Sequence, residues 1–171
     1  PFPPASGFEF EARRAALPRQ GTGAIDSERY FLLFADAPQG VYPAADGRRI
    51  SEASLVGEYS GIGSVFDALE AVSVESAVLS NTNDAHWASL FAQTPDEPRF
   101  PTLTRVRHRF ASHLLRVEKP DPRAYHHVER ATGHVADRIL FFDDRQENVE
   151  GARAVGGTAE LIDYTGDTTA Q

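Results

Sequence analysis

Four short apolar runs in the later part of the chain, SAVLS at 76–80, HRFASHLL at 108–115, RILFF at 138–142 and TAELID at 158–163, alternate with segments carrying helix signals. Such runs, interleaved with helical patterns, specify a mostly parallel sheet covered by helices on both faces, since parallel neighbours need a long crossover. The helix signals are local and chemical. Asn83 is placed to cap a helix bearing Trp87, Leu90 and Phe91, and Asp121 followed by Pro122 opens a second, with Tyr125 and Val128 on its apolar face and Gly133 at its stop. ENVEGARAVG reads as a third helix ending in glycine, and Val65, Phe66 and Leu69 form an apolar stripe ahead of the first run. In sheets of this kind ligands bind at the carboxyl ends of the strands.

Residues 1–60 lack that rhythm. The first seven are proline-rich, FEFEARRAAL at 8–17 allows a helix stopped by Pro18, and QGTG reads as a loop. Asp26 or Ser27 can cap a helix carrying Tyr30, Phe31, Leu33 and Phe34 up to Pro38, and another short helix is expected around 50–58. The expectation is a small helical subdomain over 1–60 beside an α/β core over 61–171.

Composition removes several function classes. The 171 residues suffice for one domain with an appendage, and no apolar run nears the roughly 18–20 residues of a bilayer crossing. With no basic-then-apolar export signal and no cysteine, thiolate chemistry, disulfides and Cys-ligated metals are excluded, and a cytoplasmic protein without a membrane partner is expected. A net charge of −8 argues against a nucleic-acid partner but leaves small ligands open. The six histidines show no ligand spacing for zinc, and neither nucleotide-binding glycine fingerprint occurs. Methionine is absent and the chain opens on Pro1, which fits either a clipped initiator or an absent N-terminal segment.

Three polar groups stand where a sheet-edge site would lie. Ser80 and Asn81 end the first run, where a hydroxyl and backbone N–H groups could bind an anion, although Ser80 and Asn83 also suit a plain helix cap. Lys119, in EKPDP, is the single lysine of a chain with 17 basic residues, and its compact ammonium suits a point contact with a phosphoryl oxygen; a solvated pair with Glu118 is the alternative. Asp143 and Asp144 follow RILFF. Two adjacent carboxylates after an apolar strand call for compensating donors or a hard cation such as Mg²⁺, whereas Asp144 alone could serve the next helix as a cap.

Taken in order, VLSNTNDAHW, RVEKPDPRAYHHV and ILFFDDRQENVEGARAVG resemble the second, third and fourth motifs of the haloacid dehalogenase-like hydrolases, most closely the branch of small-sugar phosphate phosphatases. The resemblance implies an α/β fold with a Rossmann-like three-layer core and a small helical cap. It implies Mg²⁺ as cofactor and a small phosphorylated molecule as substrate. Ser80 and Asn81 would then hold the phosphoryl group and Lys119 would neutralise its charge. Asp143 and Asp144 would hold the metal, Asp143 the more direct ligand, with Asn148 supporting that loop.

The family's first motif, an apolar strand ending in DxD, has no match ahead of Ser80. Asp36, in YFLLFADAPQGV, is the best local mimic, but Pro38 stands where the second Asp should be and the preceding pattern reads as helix. In the family that strand lies mid-sheet, so its absence would leave two inner strand edges unpaired beside an apolar cleft. The expectation is therefore a phosphatase whose nucleophilic Asp lies in a segment outside these residues. The alternatives are a 2-haloacid dehalogenase-like hydrolase, which needs no metal, and a non-catalytic binding remnant.

Overall fold

The computed structural model describes residues 16–35, 43–91 and 99–163. Residues 16–21 are helical straight through Pro18, so the expected stop there is not seen. A proline removes only its own donor, and the Pro18 carbonyl still accepts from Thr22 N at 3.0 Å. Helix α1 (Ser27–Ala35) follows, capped by Asp26, whose Oδ1 accepts from Arg29 N at 2.7 Å. Tyr30 and Phe31 are buried against Ala16, with Ile25 and Ala44 packed around them. Helix α2 (Ala44–Ala53) begins and ends earlier than expected, because extended Pro43 (φ −54°, ψ 149°) sets its start and Ser54 turns its N–H back onto Ser51 O. The helix expected from residue 8, Asp36 and Pro38 lie outside the described residues.

From Gly61, whose φ of 85° turns the chain into the next helix, the alternation holds: α3 (Ile62–Ala71), β1 (Ala77–Ser80), α4 (Asp84–Phe91), β2 (His108–Ala111). Asn83 Oδ1 accepts from His86 N at 2.9 Å as the α4 cap. A single turn, α5 (Ser112–Leu115), ends the HRFASHLL run. Next comes α6 (Pro122–Thr132), with Asp121 accepting from Arg123 N at 2.9 Å and Gly133 closing it at φ 75°. β3 (Leu140–Asp143), α7 (Gln146–Ala154) and β4 (Thr158–Leu161) complete the order.

Among the described residues the strands form two parallel pairs. β1 pairs with β2, Ser80 opposite Ala111, and β3 pairs with β4, Asp143 opposite Leu161. Helix α7 packs on β3 and β4, and α6 packs on α7. Buried Tyr125, Val149, Ala152 and Ala159 form the core, and Leu79 of β1 and Phe141 of β3 both pack against it. The two pairs therefore approach each other through β1 and β3, each of which keeps one edge without a strand partner among the described residues. On the opposite face of β3, Leu140 and Phe142 are 56% and 54% exposed. Apolar strand residues in a parallel sheet are normally covered, so this face and these edges form an uncovered apolar seam.

The helices of residues 16–53 are fastened to the α/β part through the start of α4. Ser27 Oγ donates to Asp84 Oδ1 at 2.5 Å, its N–H donates to the same oxygen at 2.9 Å, and Gln20 Nε2 donates to Ser27 Oγ at 2.9 Å. A second tie joins Ser51 Oγ to His86 Nε2 at 2.7 Å.

Candidate functional site

Three distant segments meet at the carboxyl ends of β1 and β3. β1 delivers Ser80 and Asn81, the turn before α6 delivers Lys119, and β3 delivers Asp143. The Asn81 amide grips the Lys119 backbone from both sides: Nδ2 donates to Lys119 O at 2.8 Å, and Lys119 N donates to Asn81 Oδ1 at 2.8 Å. Each bond spans 38 residues of sequence, so the clamp fixes the loop relative to the strand. The Lys119 ammonium lies above the Phe141 ring of β3, 5.2 Å from its centroid.

Lys119 Nζ donates to Asp143 Oδ2 at 2.6 Å, and the two side chains are only 8% and 6% exposed. The other oxygen, Oδ1, accepts from Asn148 Nδ2 at 2.8 Å and from Arg145 N at 3.0 Å. Burial by itself pushes the Asp143 carboxyl up. The bonds from Lys119, Asn148 and Arg145 N outweigh it and hold the carboxyl below its ordinary value. The side chain is thus an ionised carboxylate held by fixed donors.

A further layer positions α7. Tyr125 Oη donates to Asn148 O at 2.7 Å, and burial, reinforced by the Asp143 charge, pushes the phenol up to about 12. Where α7 crosses the Lys119–Pro120 turn the fit requires glycine. A Cβ on Gly151 would stand 2.8 Å from Tyr125 Oη and 2.9 Å from Pro120 O. Neither Tyr125 nor Gly151 shows this role in the sequence, where they read as a core residue and a helix glycine.

The remaining expected residues lie one position along the chain from this network. Ser80 is half-buried and Asp144 is exposed, and neither side chain has a hydrogen-bond partner among the described residues. Asn148 Oδ1 is buried with no donor among the described residues. Among the described residues no three His, Asp or Glu side chains already converge as a ligand set. The donors present are oxygens: the Asp143 carboxylate, bonded to Asn148 whose Oδ1 is the orphan acceptor, and the Asp144 carboxylate next in the chain. That set fits Mg²⁺, which keeps several waters and takes only one or two carboxylates, a metal-bound water being a donor the orphan acceptor lacks.

No family model matches the chain. A Mycobacterium tuberculosis protein named as a phosphatase is 45% identical over 58 residues, which is 34% of this chain and 27% of that protein's length. Over nearly the whole chain, a crystal structure of a haloacid dehalogenase (HAD) family enzyme from Bacteroides thetaiotaomicron superposes with a TM-score of 0.82, covering 95% of this chain and 80% of that one at 18% identity. The chain has the haloacid dehalogenase-like fold. The same Bacteroides enzyme in complex with magnesium and inorganic phosphate gives a TM-score of 0.75 at 16% identity, over 97% of this chain and 90% of that one. L-2-haloacid dehalogenase from Xanthobacter autotrophicus gives 0.60 at 17% identity, over 91% of this chain and 64% of that one. The haloacid dehalogenase-like fold is the one implied by the three sequence motifs. Its carboxyl-edge rule accounts for why the polar network gathers where β1 and β3 end.

Proposed function

We propose that this protein is a Mg²⁺-dependent phosphatase acting on a small phosphate monoester, of the sugar-phosphate class. The observation that carries this reading is the chain Asn81–Lys119–Asp143–Asn148, which holds an ammonium and a carboxylate together at the carboxyl ends of two strands, one of which ends in Ser80. The magnesium and phosphate found with the Bacteroides enzyme, and the phosphatase name of the Mycobacterium relative, support it by likeness.

In this reading Ser80 Oγ and Asn81 bind the phosphoryl oxygens, and the Lys119 ammonium neutralises charge that grows on them. Asp143 holds Lys119 in line, and with Asp144 would hold Mg²⁺, which when bound polarises the phosphoryl oxygens. Asn148 keeps the Asp143 carboxylate turned towards the site. The reading needs a nucleophilic carboxylate borne by a further strand seated between β1 and β3, and no described residue supplies it. Residues 1–60, whose described parts are mostly helical, act as a cap that screens water and selects the leaving group. The test is phosphate release from a panel of sugar phosphates by the full-length gene product, with and without Mg²⁺. Turnover that needs Mg²⁺ and falls about 10²–10³-fold in Lys119→Met supports the reading. No turnover with any member sinks it, and phosphate binding without turnover favours a binding remnant.

Likeness to the Xanthobacter dehalogenase raises a second reading, carbon–halogen hydrolysis on the same scaffold. That chemistry needs no metal and leaves the Asp143–Asp144 pair unexplained. Chloride release from a 2-haloacid without Mg²⁺ would reverse the ranking.

A further inference from the structure

The QGTG loop at residues 20–23, to which the reading above gives no part, is seated against the segment that follows β2. Ser112 Oγ donates to Gly21 O at 2.6 Å, and the Arg116 guanidinium donates to Gly23 O. Gly23 lies so close to α5 that an added Cβ would stand 2.4 Å from His113 O, and its φ of 67° favours glycine as well. A side chain there would lift the loop off α5.

Ser112 is 1% exposed, and its hydroxyl faces two ways. Thr82 N donates to Oγ at 2.9 Å, and Thr82 O lies 3.0 Å from the same atom. A hydroxyl has one proton, so Gly21 O and Thr82 O compete for it. Gly21 O is nearer and takes it, which leaves Thr82 O to His113 Nδ1 at 3.2 Å. With the loop lifted, the proton passes to Thr82 O, because a buried hydroxyl left without an acceptor is costly. How Thr82 is held therefore depends on whether the loop is seated. Thr82 stands two residues after Ser80 and one after Asn81, in the turn that ends β1. A shift of its backbone tilts that turn, and with it Ser80 and the Asn81 grip on the Lys119 backbone.

We propose that Ser112 is a positioning residue of the phosphoryl site: it sets the turn that bears Ser80 and Asn81, and ties the geometry of that turn to the seating of the QGTG loop. The proposal deepens the phosphatase reading and rests on it for the roles of Ser80 and Asn81.

The experiment is equilibrium binding of inorganic phosphate by calorimetry to the 171-residue chain in Mg²⁺, with urea midpoints measured in parallel. Ser112→Ala is expected to weaken phosphate binding about tenfold, the scale of one hydrogen bond, while Ser112→Thr, which keeps the hydroxyl, binds close to the parent. Gly23→Ala should weaken binding to a similar extent, although among the described residues no hydrogen bond joins Gly23 to Ser80, Asn81, Lys119 or Asp143. The double variant Ser112→Ala, Gly23→Ala should bind no worse than the weaker single, since both act through one hydroxyl. A merely structural Ser112 would lower the urea midpoint of Ser112→Ala and leave its phosphate affinity at the parent value, which overturns the proposal. Ser112→Thr binding as poorly as Ser112→Ala, or losses that add in the double variant, overturns it too. If Ser112→Ala does not fold, Gly23→Ala decides, and parent-like binding there is the refuting result. Failure of the parent chain to bind phosphate sinks the phosphatase reading and this proposal with it, whereas parent binding with indifferent variants sinks this proposal alone.

Discussion

Lys119 Nζ and Asp143 Oδ2 lie 2.6 Å apart with both side chains more than nine-tenths buried, and the pair joins the loop before α6 to the end of β3. Burying an ion pair is a poor way to gain stability, because desolvation offsets most of the attraction. Removing one partner is another matter, since the survivor is left charged in a dry site. Lys119→Met is therefore expected to destabilise the chain by about 3–5 kcal/mol, and the double variant Lys119→Met, Asp143→Leu by clearly less. Urea denaturation of the two single variants and the double variant measures the coupling. Simple additivity would show that the two groups do not act as a pair.

The same carboxylate makes stability depend on acid. Its folded pKa is depressed by Lys119, Asn148 and Arg145 N against the opposing effect of burial. A depressed carboxyl contributes stability that is fully present above its unfolded pKa, about 3.9, and that is lost as pH falls through the lower folded value. The part-exposed Asp121, held at about 2 by Arg123, acts in the same window with a smaller effect because solvent screens it. Melting temperature followed from pH 6 to pH 2 should fall less steeply below pH 4 in Asp143→Asn than in the parent chain. Parallel curves would contradict the assigned ionisation.

The Asn81 clamp predicts a chemical specificity that size alone does not. Asn81→Ala removes both bonds to the Lys119 backbone and should cost about 1–2 kcal/mol. Asn81→Asp keeps an acceptor for Lys119 N but sets a carboxylate oxygen against Lys119 O, so it should be no better than alanine despite its near-identical shape. Chemical denaturation of both variants decides the point.

Gly151 and Gly63 give a matched pair. A Cβ at Gly151 would press on Tyr125 Oη and Pro120 O, so Gly151→Ala is expected to cost about 1–3 kcal/mol through overpacking. At Gly63, in α3, a Cβ meets nothing within 4 Å, and Gly63→Ala should stabilise by about 0.4–1 kcal/mol by restricting the unfolded chain. Equal effects from the two substitutions would refute the close crossing of α7 over Pro120.

What the sequence made legible was local. Asn83, Asp121–Pro122 and Gly133 mark helix ends because a cap acts within a few residues, and the apolar runs mark strands for the same reason. Pro18 misleads because the hydrogen bond that keeps its helix going uses the proline's carbonyl, not its missing donor. The site residues could be named from strand ends. The contacts that hold them could not: Asn81 with Lys119, Ser27 with Asp84 and Gly151 with Pro120 join positions far apart in the chain, and no local pattern encodes them. Glu118 was visible only as a neighbour for Lys119, whereas its Oε2 lies so near Gly21 that a Cβ there would meet it at 3.0 Å.

RILFF reads as a strand covered on both faces, yet Leu140 and Phe142 stand more than half exposed beside the free edge of β3. If a further strand and its connections cover this seam in the full-length protein, the same substitution must have different costs in the two contexts. In the 171-residue chain Phe142→Thr removes a side chain that is mostly in water, and the cost should be under about 1 kcal/mol. In the full-length protein the covered ring would carry a burial worth about 1.5–3 kcal/mol, and its loss plus the cavity left behind should cost about 3 kcal/mol or more. The exposed seam should also bind a hydrophobic dye in the short chain and lose that binding in the longer one. Equal costs for Phe142→Thr and equal dye binding in both would show that no strand occupies the gap, and would remove the place from which a nucleophile could reach Lys119 and Asp143.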